Sequence, residues 1–206
     1  MRTLVSRSAR VVVSLVIASA CRGRSGGREL AADGKRHYAT YSAAGEVTNA
    51  VGRVNVYAAT GPNALSAVAK RAKPLVYVPN SRSASVTVID PATYRVVRTF
   101  ATGAVPQHVV PSYDLSTLWV LNNNAGTLTP IDPLTGMNGT PIRVDDPYNM
   151  YFTPDGQYAI VVAEGRKRLD FRDPRTMKLE QSVRTDCRGI DHMEFTADGR
   201  FAIATC

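Results

Sequence analysis

The chain has 206 residues, of which 44% are hydrophobic, 20% charged and 7% aromatic, with three cysteines and a formal charge of +8 at pH 7. It contains no P-loop, no G-x-S-x-G elbow, no H-E-x-x-H and no C-x-x-C-H, so the chemistries built on those patterns lack their residues. Residues 1–20 carry three arginines and no acid, which leaves +5 for the remainder; that is mild for the length, and nucleic acid is not an expected partner.

The first twenty residues read as an address. Arg2, Arg7 and Arg10 form a basic leader, Val11 to Ile17 a short apolar run, and Ala18-Ser19-Ala20 a small-residue cleavage site. The run is too short for a membrane-spanning helix. Cys21 follows at once, so two readings stand side by side: a cleaved secretory signal, or a lipoprotein acylated at Cys21. Both predict an extracytoplasmic protein, secreted or tied to the membrane only by a lipid. Residues 21–52 are rich in Gly, Ser, Ala, Arg and Lys without an apolar period, and are expected to form a flexible tether. Residues 53–206 are expected to fold. Arg53 to Tyr57 alternates like a strand, and Leu65 to Arg71 suits a short helix or a long surface loop.

From Leu75 onward one message recurs. Asp-Pro-x-Thr stands at Asp90, Asp132 and Asp173, and a second turn marker ends in Asp114, Asp155 and Asp198, so two independent signals keep a beat of 41 to 43 residues. Each second marker is followed by an apolar tetrad, beginning at Trp119, Ile160 and Ile203, and Tyr77-Val78-Pro79-Asn80 fills that place in the first copy. Before each Asp-Pro, Val86, Leu128 and Leu169 alternate with polar residues, which predicts a strand with one buried face. Phe100, Ile142 and Val183 begin a further strand after the turn. Each copy is therefore an antiparallel sheet, with strands near 107–112, 117–122, 127–132 and 137–144 in the middle copy. Pro130 lacks a ladder donor and predicts a bulge or weak pairing.

The period, the Tyr77-Val78-Pro79-Asn80 tetrad with Val86-Thr87-Val88-Ile89-Asp90, and Thr153-Pro154-Asp155-Gly156 together resemble the YVTN family of β-propeller repeats, which are built like WD40 blades. The resemblance implies an all-β propeller of four-stranded blades with its first strand innermost, and about three copies imply an incomplete ring, a fragment of a longer propeller rather than an arc that self-assembles. Ala163 and Cys206 replace the tetrad's Asn80 and Asn122, which leaves that asparagine the role of a local turn bond.

Candidate chemistry gathers where each innermost strand begins. Six residues before the second-marker aspartates stand His108, Asn149 and His192, preceded by Gln107, Tyr148 and Asp191. These six are the expected ligand-contacting residues. Two imidazoles fall short of a metal site, so no cofactor is expected, and His108, His192, Cys187 and Cys206 are only weak candidate ligands. A hairpin at Asp198-Gly199 puts Cys206 opposite Asp191 and near Cys187, and in an exported protein that pair is a disulfide candidate. Asp145-Asp146 suits a turn better than a Ca²⁺ site, and Arg166-Lys167-Arg168 reads as a solvated turn. The favoured function is a non-enzymatic binding scaffold for a protein, polymer or small ligand at the cell envelope. The alternative is a redox or hydrolytic propeller with a metal or cofactor in its channel, similar to the propellers of haem d1 nitrite reductase, amine dehydrogenase or nitrous oxide reductase.

Overall fold

Turns set where the strands stop. Asp90, Asp132 and Asp173 each accept from the backbone N–H two residues on and from the threonine hydroxyl three residues on. In the second turn type the hydroxyls of Ser112, Thr153 and Thr196 donate to Asp114, Asp155 and Asp198, which also accept from the N–H groups of Ser116, Gln157 and Arg200. These bonds favour the ionised form. Hydroxyl donors chiefly hold Asp114, Asp155 and Asp198 below the usual carboxylate range, and backbone donors chiefly hold Asp132 and Asp173 there.

The computed structural model describes residues 61, 63–187 and 189–206, and the backbone pairing of four short strands before them: β1 (Ser14–Ile17), β2 (Thr40–Tyr41), β3 (Val47–Asn49) and β4 (Gly52–Val54). Apart from β1, the address and Cys21 lie outside the described residues. Within the stretch read as a tether and just after it, β2, β3 and β4 pair as a small antiparallel sheet. Arg53 thus belongs to that sheet and not to the first blade. A single 3₁₀ turn, Ala69–Arg71, occupies the stretch left between helix and loop. Among the described residues no helix is long and apolar enough to cross a membrane.

Four β-meanders follow. The first is β5 (Val76–Asn80), β6 (Ser85–Asp90) and β7 (Arg95–Ala101); the second is β8 (Pro106–Pro111), β9 (Leu118–Asn122), β10 (Thr127–Ile131) and β11 (Ile142–Arg143). The third is β12 (Asn149–Phe152), β13 (Ala159–Ala163), β14 (Arg168–Arg172) and β15 (Leu179–Arg184). The last is the hairpin β16 (Met193–Phe195) and β17 (Phe201–Ala204), beside which β1 runs parallel to β17. Two whole propeller blades are flanked by two partial ones. The fourth strand of blade two is shorter than the expected 137–144. Pro130 pairs in register with Trp119, and its carbonyl accepts from Gly139 on the other side. Its missing N–H therefore faces β11, and there the ladder shrinks to two residue pairs and one bridge, Ile131 with Asn138.

Cores form between blades. Val86 of blade one meets Val120 and Ile131 of blade two; Trp119, Leu121 and Leu128 meet Met150, Ala159 and Val161 of blade three; Ile160, Val162, Leu169 and Phe171 meet Ile190, Met193, Ala202 and Ala204 of the last hairpin. Successive residues of β13 thus face different neighbours, which is why that strand reads as a continuous apolar run. The same geometry corrects the expectation of one buried face. On the polar side of the third strands Thr129 is 1% exposed and Asp170 0%.

Those polar positions are satisfied by networks that also correct two smaller expectations. Asn122 is no mere turn bond: its Nδ2 donates to Thr127 and Thr129, and its Oδ1 accepts from Thr102 at the end of blade one. Arg168 is not a solvated turn residue. Its Nε reaches Asp170 at 2.8 Å and its Nη2 reaches Asp145 at 3.1 Å, while Arg172 holds the other oxygen of Asp170. The second acid of the pair, Asp146, accepts from Asn123 Nδ2 and Arg166 N. Asp145-Asp146 therefore joins blade two to the hairpin loop of blade three.

Candidate functional site

Three lead-in loops with one backbone shape build the site. Val105, Asp146 and Gly189, each three residues before the expected slot, have φ of +53°, +49° and +82°. The innermost strands begin shortly after them, at Pro106, Asn149 and Met193, so all three start at one rim of the blades. A valine in the left-handed region is a steric outlier, so the surrounding fold imposes that shape. Gln107 adds a bulge, since β8 pairs Pro106 with Asn122 and His108 with Leu121 and leaves the residue between unpaired.

The slot residues of three blades meet. The rings of His108 and His192 stand edge to face at 5.9 Å, Tyr148 lies 5.4 Å from His108 and 6.3 Å from His192. Asn149, only 7% exposed, contacts His192 Nδ1 at 3.3 Å and donates to Tyr151 Oη at 2.9 Å. Tyr151 Oη is itself 3.3 Å from His192 Nδ1. Asn149 Oδ1 accepts from Met150 N, so its amide orientation is set. The structure thus brings together His108, Tyr148, Asn149 and His192. It leaves Gln107 beside them without a side-chain hydrogen bond among the described residues, and Asp191 pairs with no cation there.

Burial, then the charge of His192, hold His108 below its ordinary 6.5, so its neutral ring is favoured. Burial raises Tyr148, with Asp191 and Glu164 adding to the effect, and burial raises Tyr151. Glu164 is likewise pushed up by burial and by Asp191 and Asp146. The half-buried rings of His108, Tyr148 and Tyr151, beside the exposed ring of His192, are suited to contact and hydrogen bonding. Tyr151 and Glu164 were not among the expected residues. Tyr151 lies two positions after Asn149 on one strand and so shares its face, a signal that alternation alone supplies.

The cysteines bond to each other. Cys187 and Cys206 form a disulfide with Cα atoms 5.7 Å apart, and β16 pairs with β17 in the register that a turn at Asp198-Gly199 predicts. Their sulfurs are thereby removed from the candidate ligands of a metal. Among the described residues no three His, Cys, Asp or Glu side chains converge to hold an ion.

Comparison with known proteins places these features in context. The YNCE-like beta-propeller family matches residues 36–193. No curated protein matches significantly. Among solved structures, Kuenenia stuttgartiensis hydrazine synthase is similar at 25% identity and a TM-score of 0.55, over 65% of this chain and 39% of that one. Dihydro-heme d1 dehydrogenase NirN in complex with DHE aligns at 20% identity and a TM-score of 0.46, over 60% of this chain and 27% of that one. The chain spans well under half the length of either structure.

Proposed function

The chain belongs to the YNCE-like beta-propeller family, and from that premise we propose that it is an extracytoplasmic binding platform whose ligand seat is the rim built by His108, Tyr148, Asn149, Tyr151 and His192. One observation carries the reading: side chains from three successive blades, dispersed over 85 positions of sequence, converge on one point with ring separations of 5.4 to 6.3 Å. Recognition proceeds by ring contact and by hydrogen bonds to imidazole, phenol and amide, on a scaffold that does not need to move. Half-buried rings of this kind combine apolar area with a polar tip, the composition of contact surfaces.

Placement at the cell envelope, in secreted or lipid-anchored form, is part of the proposal. Its support is the basic, apolar and small-residue order of residues 1–20, Cys21 after it, and a disulfide, which persists in oxidising compartments. The partner is then a polymer, a protein or a small ligand of that compartment.

The test is retention on the immobilised full chain of purified peptidoglycan fragments, envelope proteins and membrane vesicles, together with the metal content of the preparation. We expect one fraction to be retained, and His108→Ala with Tyr148→Ala to release it while the fold persists by circular dichroism. Retention that survives both substitutions moves the seat elsewhere. A stoichiometric metal lost on replacing His108 and His192 overturns the platform reading in favour of a channel cofactor.

A further inference from the structure

The opposite rim, formed by the other set of turns, carries a cleft of about 480 Å³ between blades two and three. Its walls come from the turn after β8, the turn after β12 and the Asp-Pro turn after β14. Tyr113 supplies a flat ring that is 51% exposed, held by a hydrogen bond from its Oη to Pro154 O and laid so closely on Gly156 that a Cβ there would stand 2.2 Å from the ring. Asp114 and Asp155 use Oδ1 for their turns and keep Oδ2 free of bonds among the described residues. Arg175 is exposed on the facing wall, and Ser116 adds a hydroxyl.

Trp119 forms part of the cleft lining and is 8% exposed; its Nε1 is turned away from solvent, buried and with no partner among the described residues.

The charge pattern selects the ligand. Two ionised carboxylates repel an anion, and Arg175 opposes a simple cation. What remains is a neutral molecule that both donates and accepts hydrogen bonds and has one flat apolar face. We infer that the cleft binds a saccharide unit, stacked on Tyr113, with its hydroxyls donating to Asp114 and Asp155 and accepting from Arg175. The site lies on the rim away from His108 and His192 and is independent of that seat. The next gap between blades is a built-in contrast, for there Pro154 stands against Gly199 where Tyr113 stands against Gly156.

Trp119 is the chain's one tryptophan, so its emission reads the cleft wall directly. The full chain is titrated with cellobiose, maltose and N,N′-diacetylchitobiose, with spermidine and citrate as charged controls. We expect a saturable change in emission with at least one disaccharide and none with the controls. Tyr113→Ala and Arg175→Ala, both at exposed positions, are each expected to weaken that binding roughly tenfold or more, and His108→Ala to leave it unchanged. Emission that no disaccharide moves, that a charged control moves instead, or that responds equally in both cleft variants overturns the inference.

Discussion

Blades two and three meet the same buried problem with opposite chemistry. In blade two the polar side of the third strand is closed by neutral groups, with Asn122 bonded to Thr127, Thr129 and, from the preceding blade, Thr102. In blade three the equivalent of Asn122 is Ala163 and the equivalent of Thr102 is Val144, which offer no polar atom. Asp170 fills the space and is held by Arg168, Arg172 and Ser182. The turns and the ladder are the same in both, so the architecture fixes where polar groups must be paired and not which groups do it. The last hairpin shows an unfinished version. Thr185 stands where Thr102 and Val144 stand, but its counterpart to Asn122 is Cys206, which is committed to a disulfide, and Thr185 Oγ1 is buried with no partner among the described residues.

Breaking the ionic version is expected to have the largest effect. Asp170→Ala strands two arginines beside a fully buried position and should lower unfolding free energy by about 3–5 kcal/mol in urea denaturation. The pair itself is not optimal, since Arg172 Nε has no partner among the described residues. Asn122→Ala removes the hub of the neutral version and should cost about 2 kcal/mol by the same measurement, because three threonine hydroxyls lose one partner each. A finer contrast uses the two threonines. Thr102→Val should cost about 1 kcal/mol, whereas Thr185→Val, which deletes an orphaned hydroxyl, should be neutral or stabilising. Equal losses at both would show that the hydrogen bonds of the Thr102 hydroxyl, to Asn122 and Thr129, contribute nothing.

The smallest expected effect belongs to what the blades share. Asp114, Asp132, Asp155, Asp173 and Asp198 are held below their ordinary 3.8 by turn bonds. An unfolded chain therefore binds protons first, and the turns contribute their full stability above pH 3.8 and lose it as pH falls through the depressed folded values. Acid titration of Asp132→Asn and Asp173→Asn should shift blades two and three alike, in contrast to the buried-slot variants.

What was legible in the sequence was what recurs as the same residue at the same interval. Asp-Pro-x-Thr and the second aspartate marker disclosed the period, the meander and the propeller, and counting back from Asp114, Asp155 and Asp198 found His108, Asn149 and His192. Features that recur as shape were not legible. Val105, Asp146 and Gly189 share a left-handed backbone and no side-chain property, and among the described residues seven of the twelve with positive φ are not glycine. The bulge at Gln107 has no residue signature either. Arg168 read as part of a solvated basic run because its partners, Asp145 and Asp170, are brought to it from another blade and from its own strand's buried side. Tyr151 was within reach, since it lies on the face of Asn149.

Cys187 and Cys206 bracket the last hairpin, 19 positions apart. Under tension along the chain, force arriving at Cys206 crosses the two sulfurs to Cys187 and bypasses the strands between them. A stretched molecule should therefore rupture its other blades while this hairpin stays slack and folded, and treatment with a dithiol should release roughly 65 Å of hidden length at once. The bond makes the hairpin a mechanically silent segment in a molecule whose other sheets must bear load strand by strand.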